Sequence, residues 1–183
     1  GYAQLGKNDN RITQVDFIRS EAQSLIGIPD GSIHYLVCNY TLCAVESRAG
    51  AALQALVRFH EVLRTGGEIV IEEEYPIDAA VTPAQKVWAE KWRILKAATL
   101  ITGGIPFHEF APEGLAEMLL RVGFVNVQWA ADTSFLPEPN SLQFFHARLE
   151  RLMAAFPSPR LREGFAGEAA ALDELASQAG GME

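Results

Sequence analysis

The sequence predicts an α/β fold, a mostly parallel sheet with flanking helices that is followed by C-terminal helical segments. Three observations carry this expectation. The near-continuous apolar run from Ile33 to Asn39 has the pattern of a strand covered on both faces of a parallel sheet. A helical stretch follows, with Ala52, Leu56, Phe59 and Leu63 among the apolar residues recurring at spacings of three and four. That helix is expected to stop at Thr65-Gly66-Gly67, where glycine supplies a left-handed C-terminal conformation, and Glu68 to Glu72 then reads as a second strand. Strand, helix and strand on short connections make a βαβ unit, right-handed almost without exception.

The remaining elements follow in order. Val15 to Arg19 (VDFIR) is a short β-rich run expected to lie beside these strands, and SEAQSLIGIPDG after it is a loop punctuated by Gly27, Pro29 and Gly31. Thr82 and Pro83 supply a cap and a first-turn proline for a long helix that ends at Gly103-Gly104. Ala111-Pro112-Glu113 opens a shorter helix ending at Gly123, and Val125 to Trp129 reads as a later strand. Two more helical stretches lie beyond Pro139, split by Phe156-Pro157-Ser158-Pro159, and the Gly-Gly-Met-Glu end reads as frayed or as cut before its last element. Residues 1–136 are therefore expected to form a partial α/β domain with inserted lid helices at 82–122. Residues 137–183 are expected to form a C-terminal helical segment packed on the same domain.

Composition narrows the function. The chain has 183 residues, 49% of them hydrophobic, and a formal net charge of -8. An acidic chain with scattered basic residues is a poor partner for nucleic-acid phosphates or an anionic membrane. No apolar stretch approaches the roughly 18 residues of a membrane span, and no charged-then-apolar leader pattern is present, so the expected location is the cytoplasm. Cys38 and Cys43 suit buried thiols better than a disulfide, and no second Cys or His pair stands near them at metal-ligand spacing.

PDGSIHYLVCNYTL, HEVLRTGGEIVIEEE and RVGFVNV, in this order and spacing, resemble the class I S-adenosylmethionine-dependent methyltransferases, specifically their small-molecule group. The likeness covers roughly residues 12–135, with Thr65 where the family usually has proline. It implies a Rossmann-like fold, S-adenosyl-L-methionine as cofactor and a small-molecule methyl acceptor. The family's glycine-rich loop and the acidic residue ending its second strand are not in this sequence, which begins at about the family's third strand. The expectation is that the sequence omits about two βα units of an intact enzyme, and that a sheet edge left bare by that omission promotes self-association.

The resemblance places Glu21 and Ala22 at the adenine, where a carboxylate accepts from the amino group. It places Cys38, Asn39 and Tyr40 beside the methionine end, at the strand's carboxyl edge where open parallel sheets bind ligands. Tyr40 and His108 are the expected catalytic groups, histidine being the usual base near neutral pH. Glu74, Tyr75 and His108 are expected to line the acceptor pocket. Glu72, Glu73 and Glu74 also fit a solvated strand end, His34 and His60 read as structural, and Trp88 with Trp92 reads as core rather than as a cation cage. A rival reading is a catalytically silent binding or assembly module that kept the fold without the glycine loop.

Overall fold

The computed structural model describes residues 16–183 except Ser47 and Asp78. It is a mixed α/β structure. Strand β1 (Ile33–Asn39) leads through the one-turn helix α1 (Leu42–Val45) into α2 (Ala51–Val62), and β2 (Leu63–Glu72) follows without a gap. β1 and β2 are parallel, with Tyr35 opposite Glu68 and Asn39 opposite Glu72. The central βαβ expectation therefore holds, although α2 ends earlier than Thr65. Leu63 is already extended, and Gly66 takes a φ of 73°, beside the register shift between Ile33 and Tyr35. Gly67 must lack a side chain, because a Cβ there would meet the Arg64 carbonyl oxygen at 2.9 Å and that of His34 at 3.2 Å.

Helix α3 (Pro83–Ile101) starts with a full capping box: Thr82 accepts from the Gln85 N–H, and the Gln85 side chain accepts from the Thr82 N–H. Helix α4 (Pro112–Val122) also has proline in its first turn and ends at Gly123, whose φ of 118° suits glycine. After the two-residue strand β3 (Leu136–Pro137) come α5 (Gln143–Met153), α6 (Pro159–Ala179) and β4 (Gly181–Met182). β4 pairs antiparallel with β3. The chain end is docked rather than frayed: Met182 is buried, and the Glu183 N–H donates to the Ala84 carbonyl at 3.2 Å.

Two of the expected strands are not found among the described residues. Val15 lies outside the described residues, and 16–19 have no regular structure, with Phe17 86% exposed. Val125–Trp129 is likewise outside any ladder, and Val125 is 77% exposed. β-branched and aromatic residues mark a strand only when a neighbouring strand and a covered face are there to receive them. Here Phe124 and Val127 pack inward without backbone pairing. The expectation that β1 is covered on both faces also fails. Leu36, Cys38, Ile69 and Ile71 pack beneath the sheet, whereas Tyr35, Val37 and Val70 stand exposed on the other face.

The buried apolar residues form two clusters. One joins the sheet to α2 and α4 through Leu42, Leu56, Phe59, Phe110 and Leu119. The other joins α3, α5 and α6 through Val87, Leu95, Phe145, Leu149 and Leu172. Each fully buried leucine or phenylalanine contributes about 1.5–3 kcal/mol relative to exposure.

Candidate functional site

Both parallel strands end at the same edge, and their exits are tied together. Tyr40 leaves β1 with a φ of 48°, unusual for a residue with a side chain, which turns the chain sharply into α1. Its N–H donates to the Glu72 carbonyl at 2.8 Å, and its hydroxyl donates to Glu72 Oε1 at 2.6 Å. The neighbouring carboxylate, Glu73, accepts from the backbone N–H groups of Thr41 at 2.7 Å, Leu42 at 2.6 Å and Cys43 at 3.2 Å. These are the orphan donors of a helix start, so Glu73 caps α1 from across the sheet. Glu72 and Glu73 therefore both have structural partners, Glu72 while still exposed to solvent and Glu73 half-buried.

This geometry sets the chemistry of the polar groups. The hydrogen bond to Glu72 holds the Tyr40 phenol protonated, its pKa pushed up to about 12, so Tyr40 acts here as a donor and not as a base. Both cysteines are free and buried. Burial, reinforced by Glu73, raises the Cys38 thiol to about 11 and the Cys43 thiol to about 12. Neither is a nucleophile at neutral pH. Asn39 is exposed, its backbone carbonyl accepting from the Thr41 hydroxyl.

The loop expected to meet adenine is fixed from behind by Arg58 of α2. Its guanidinium donates to the Ser24 and Ile28 carbonyls at 2.9 and 2.7 Å and bonds Asp30 and Glu61. Within this loop Ala22 packs on the sheet core, and the half-buried Gln23 holds a buried Oε1 with no hydrogen-bond donor. Glu21 is exposed, 4.0 Å from Arg48.

A second polar group lies beyond the β2 exit. His108 is joined to α1 through its N–H, which donates to the Cys43 carbonyl at 3.2 Å, while its exposed ring stands edge-on to Phe110. The next residue, Glu109, is buried and ion-paired with Lys96 of α3. Glu74 is half-buried, and desolvation raises its pKa against the opposing pull of Lys91. Tyr75 is half-buried beside it. Lys91, only 3% exposed, rests its amine 3.7 Å from the Trp88 ring centre and 4.2 Å from that of Trp92. Burial pushes this amine down to about 8.

Sequence reasoning did not single out Lys91 or Lys96. The signal was present for Lys91, which occupies the stripe Ala84, Val87, Lys91, Leu95, Ala98 that α3 buries. A lysine on an apolar stripe, flanked by tryptophans three before and one after, marks a buried charge. Trp88 and Trp92 do cage a cation, and it is the protein's own.

Elsewhere, a cleft of about 420 Å³ lies between α2 and α4, lined by Leu53 and Met118 among others. Its charged groups are already engaged: Glu46 accepts from the N–H groups of Gly50 and Ala52, and Glu117 pairs with Arg121. No metal-holding group of His, Cys, Asp and Glu occurs among the described residues, and no helix among them is long and apolar enough to cross a membrane. Compared with protein-family models, curated proteins and solved structures, the chain shows no match in any of the three.

Proposed function

We propose that the chain belongs to an S-adenosylmethionine-dependent methyltransferase of Rossmann-like architecture acting on a small molecule. The observation that carries this reading is the convergence of both parallel strand exits on one edge, where Tyr40, Glu72 and Glu73 join a rigid turn. Open parallel sheets bind their ligands at that edge. The loop holding Glu21 and Ala22 fits the adenine end, because the buried Gln23 Oε1 is an acceptor lacking a donor, and adenine's amino group donates. When bound, the cofactor supplies an electrophilic methyl group on its sulfonium. The chain supplies alignment and exclusion of water.

The 183-residue sequence has neither the glycine-rich loop nor the ribose-binding carboxylate that the resemblance implies, so its affinity should be weak. Nuclear magnetic resonance detects weak binding directly. Titration with S-adenosylhomocysteine to ten millimolar (about the ceiling for such weak sites) should shift the amides of Glu21–Gln23 and Cys38–Tyr40. Unmoved resonances would remove Glu21–Gln23 and Cys38–Tyr40 from a cofactor site, and the absence of binding by a protein that also carries the glycine-rich loop would remove the methyltransferase reading.

One arrangement favours a silent binding module instead. The α1 N–H groups are already satisfied by Glu73, and Glu21 stands beside Arg48, so both could serve structure alone. The same titration, repeated on a protein that carries that loop, separates the two readings.

A further inference from the structure

The outer face of the sheet is bare where its parallel pairing calls for a cover. Strand alternation and register set Tyr35 beside Glu68, Val37 beside Val70 and Asn39 beside Glu72 on that face. Tyr35, Val37 and Val70 are 54%, 46% and 45% exposed, whereas Leu36, Cys38, Ile69 and Ile71 pack on the opposite side. Parallel strands are ordinarily covered on both faces. The bare face is also acidic at both ends: Glu68 precedes Val70 and Glu72 follows it, both exposed. Among the described residues neither carboxylate is in an ion pair, and Arg64, earlier on β2, pairs with neither. The side chain of Glu72 has a neutral partner, the Tyr40 hydroxyl.

Size and charge decide what fits there. The patch is two strands wide, about 10 Å, and the stretch from Tyr35 to Asn39 is roughly 16 Å long. A globular partner needs roughly 800 Å² on its side of a stable interface, several times this footprint. A single helix, about 10 Å across, matches the width. Two copies meeting face to face bring four carboxylates together, so self-association through this face is weak. A helix with cations at both ends of an apolar stripe meets no such repulsion, and the net charge of -8 attracts it from a distance. Glu68 and Glu72 lie roughly 13 Å apart along β2, and helix positions i and i+8 lie about 12 Å apart. Positions i+3 and i+4 share the face between them.

We propose that the outer face of β1 and β2 is a docking site for a cationic amphipathic helix of a partner protein, whose apolar stripe covers Tyr35, Val37 and Val70 while lysines or arginines near its positions i and i+8 pair with Glu68 and Glu72. This docking does not depend on the methyltransferase reading, which concerns the carboxyl edge of the sheet and not its face.

The test uses the full 183-residue chain and two synthetic amphipathic peptides with the same apolar stripe, one bearing lysine and the other glutamate at i and i+8. In nuclear magnetic resonance spectra the lysine peptide should saturably shift the amides of Tyr35, Val37, Glu68 and Val70. It should leave in place those of Phe145 and Leu149, which belong to the other apolar cluster. The glutamate peptide should bind at least about tenfold more weakly, a difference that narrows as salt rises from about 0.05 to 0.5 M. Glu68→Lys, a change at an exposed position, should weaken the lysine peptide and strengthen the glutamate peptide, each about threefold. The peptide comparison itself needs no variant. Equal affinity for the two peptides, or no saturable shift with the lysine peptide, would overturn the proposal. A chain that pairs with itself through this face tightly enough to exclude the lysine peptide would overturn it too, and assign the face to a second copy.

Discussion

Glu73, the first residue beyond β2, accepts the backbone N–H of Leu42, the first residue of α1, at 2.6 Å. One carboxylate thereby joins the ends of both strands and caps a helix too short to sustain itself. Glu73→Ala should cost about 2–4 kcal/mol, because three backbone donors lose their acceptor together. Glu73→Gln, which keeps one acceptor oxygen, should cost about half as much. Urea denaturation measures both, and an Ala variant within 0.5 kcal/mol (about the noise of surface substitutions) would show that water replaces the carboxylate.

Lys91 gives a pH signature. Its amine titrates at about 8 in the folded chain against 10.5 when solvated. Between those values the unfolded chain binds a proton that the folded chain has released. This residue therefore adds stability as pH rises from about 8 towards 10.5 and opposes folding below that window. Relative to Lys91→Met, the wild type should gain on the order of 3 kcal/mol between pH 7 and pH 10.5. Denaturation midpoints measured at both ends of the window decide it; parallel pH profiles would contradict the burial of the charge.

Arg58 holds the loop of Glu21 and Gln23 by a planar fork rather than by charge alone. Its Nε and Nη2 reach two separate carbonyls, a geometry lysine does not reproduce. Arg58→Lys should destabilise the chain by about 1–3 kcal/mol and accelerate amide exchange at Leu25 and Ile28. Unchanged exchange at those two positions would show that the loop holds its form without the fork.

The bare face of the two-stranded sheet carries Tyr35, Val37 and Val70. Among the described residues β1 and β2 pair only with each other. Such a surface should draw copies together. Light scattering should show apparent mass rising with concentration, and Val37→Lys should reduce that rise. A concentration-independent monomer would contradict it.

Most of the regular structure was legible because its signals are local. Thr82 and Pro83 announce α3, Gly123 ends α4, and the apolar runs mark β1 and β2. The misread segments depended on distant partners. Phe17 and Val125 have strand-forming side chains, but strand formation is decided by what lies beside them. In the candidate site the sequence indicated the strand exits but not the use of the three glutamates. Glu72 serves Tyr40, Glu73 serves α1, and Glu74 is half-buried, its pKa raised by desolvation. Adjacent identical residues carry no mark of these separate tasks. Lys91 was hidden because charge is ordinarily read as exposure, and its burial arises from packing of α3 that only the fold reveals.

The two apolar clusters are drawn from alternating stretches of chain. The sheet and α2 supply the first, α3 the second, Phe110 to Val127 return to the first, and everything from Leu142 onward completes the second. A break between β2 and α3 strips the sheet of Phe110 and Leu119. A break after Val127 strips α3 of Phe145, Leu149 and Leu172. A break between α3 and α4 does both. The fold is thus interlaced in a way that resists recombination: no single crossover point within 73–141 yields two pieces that each keep their own interior, and exchange with a relative must carry both strands of the braid.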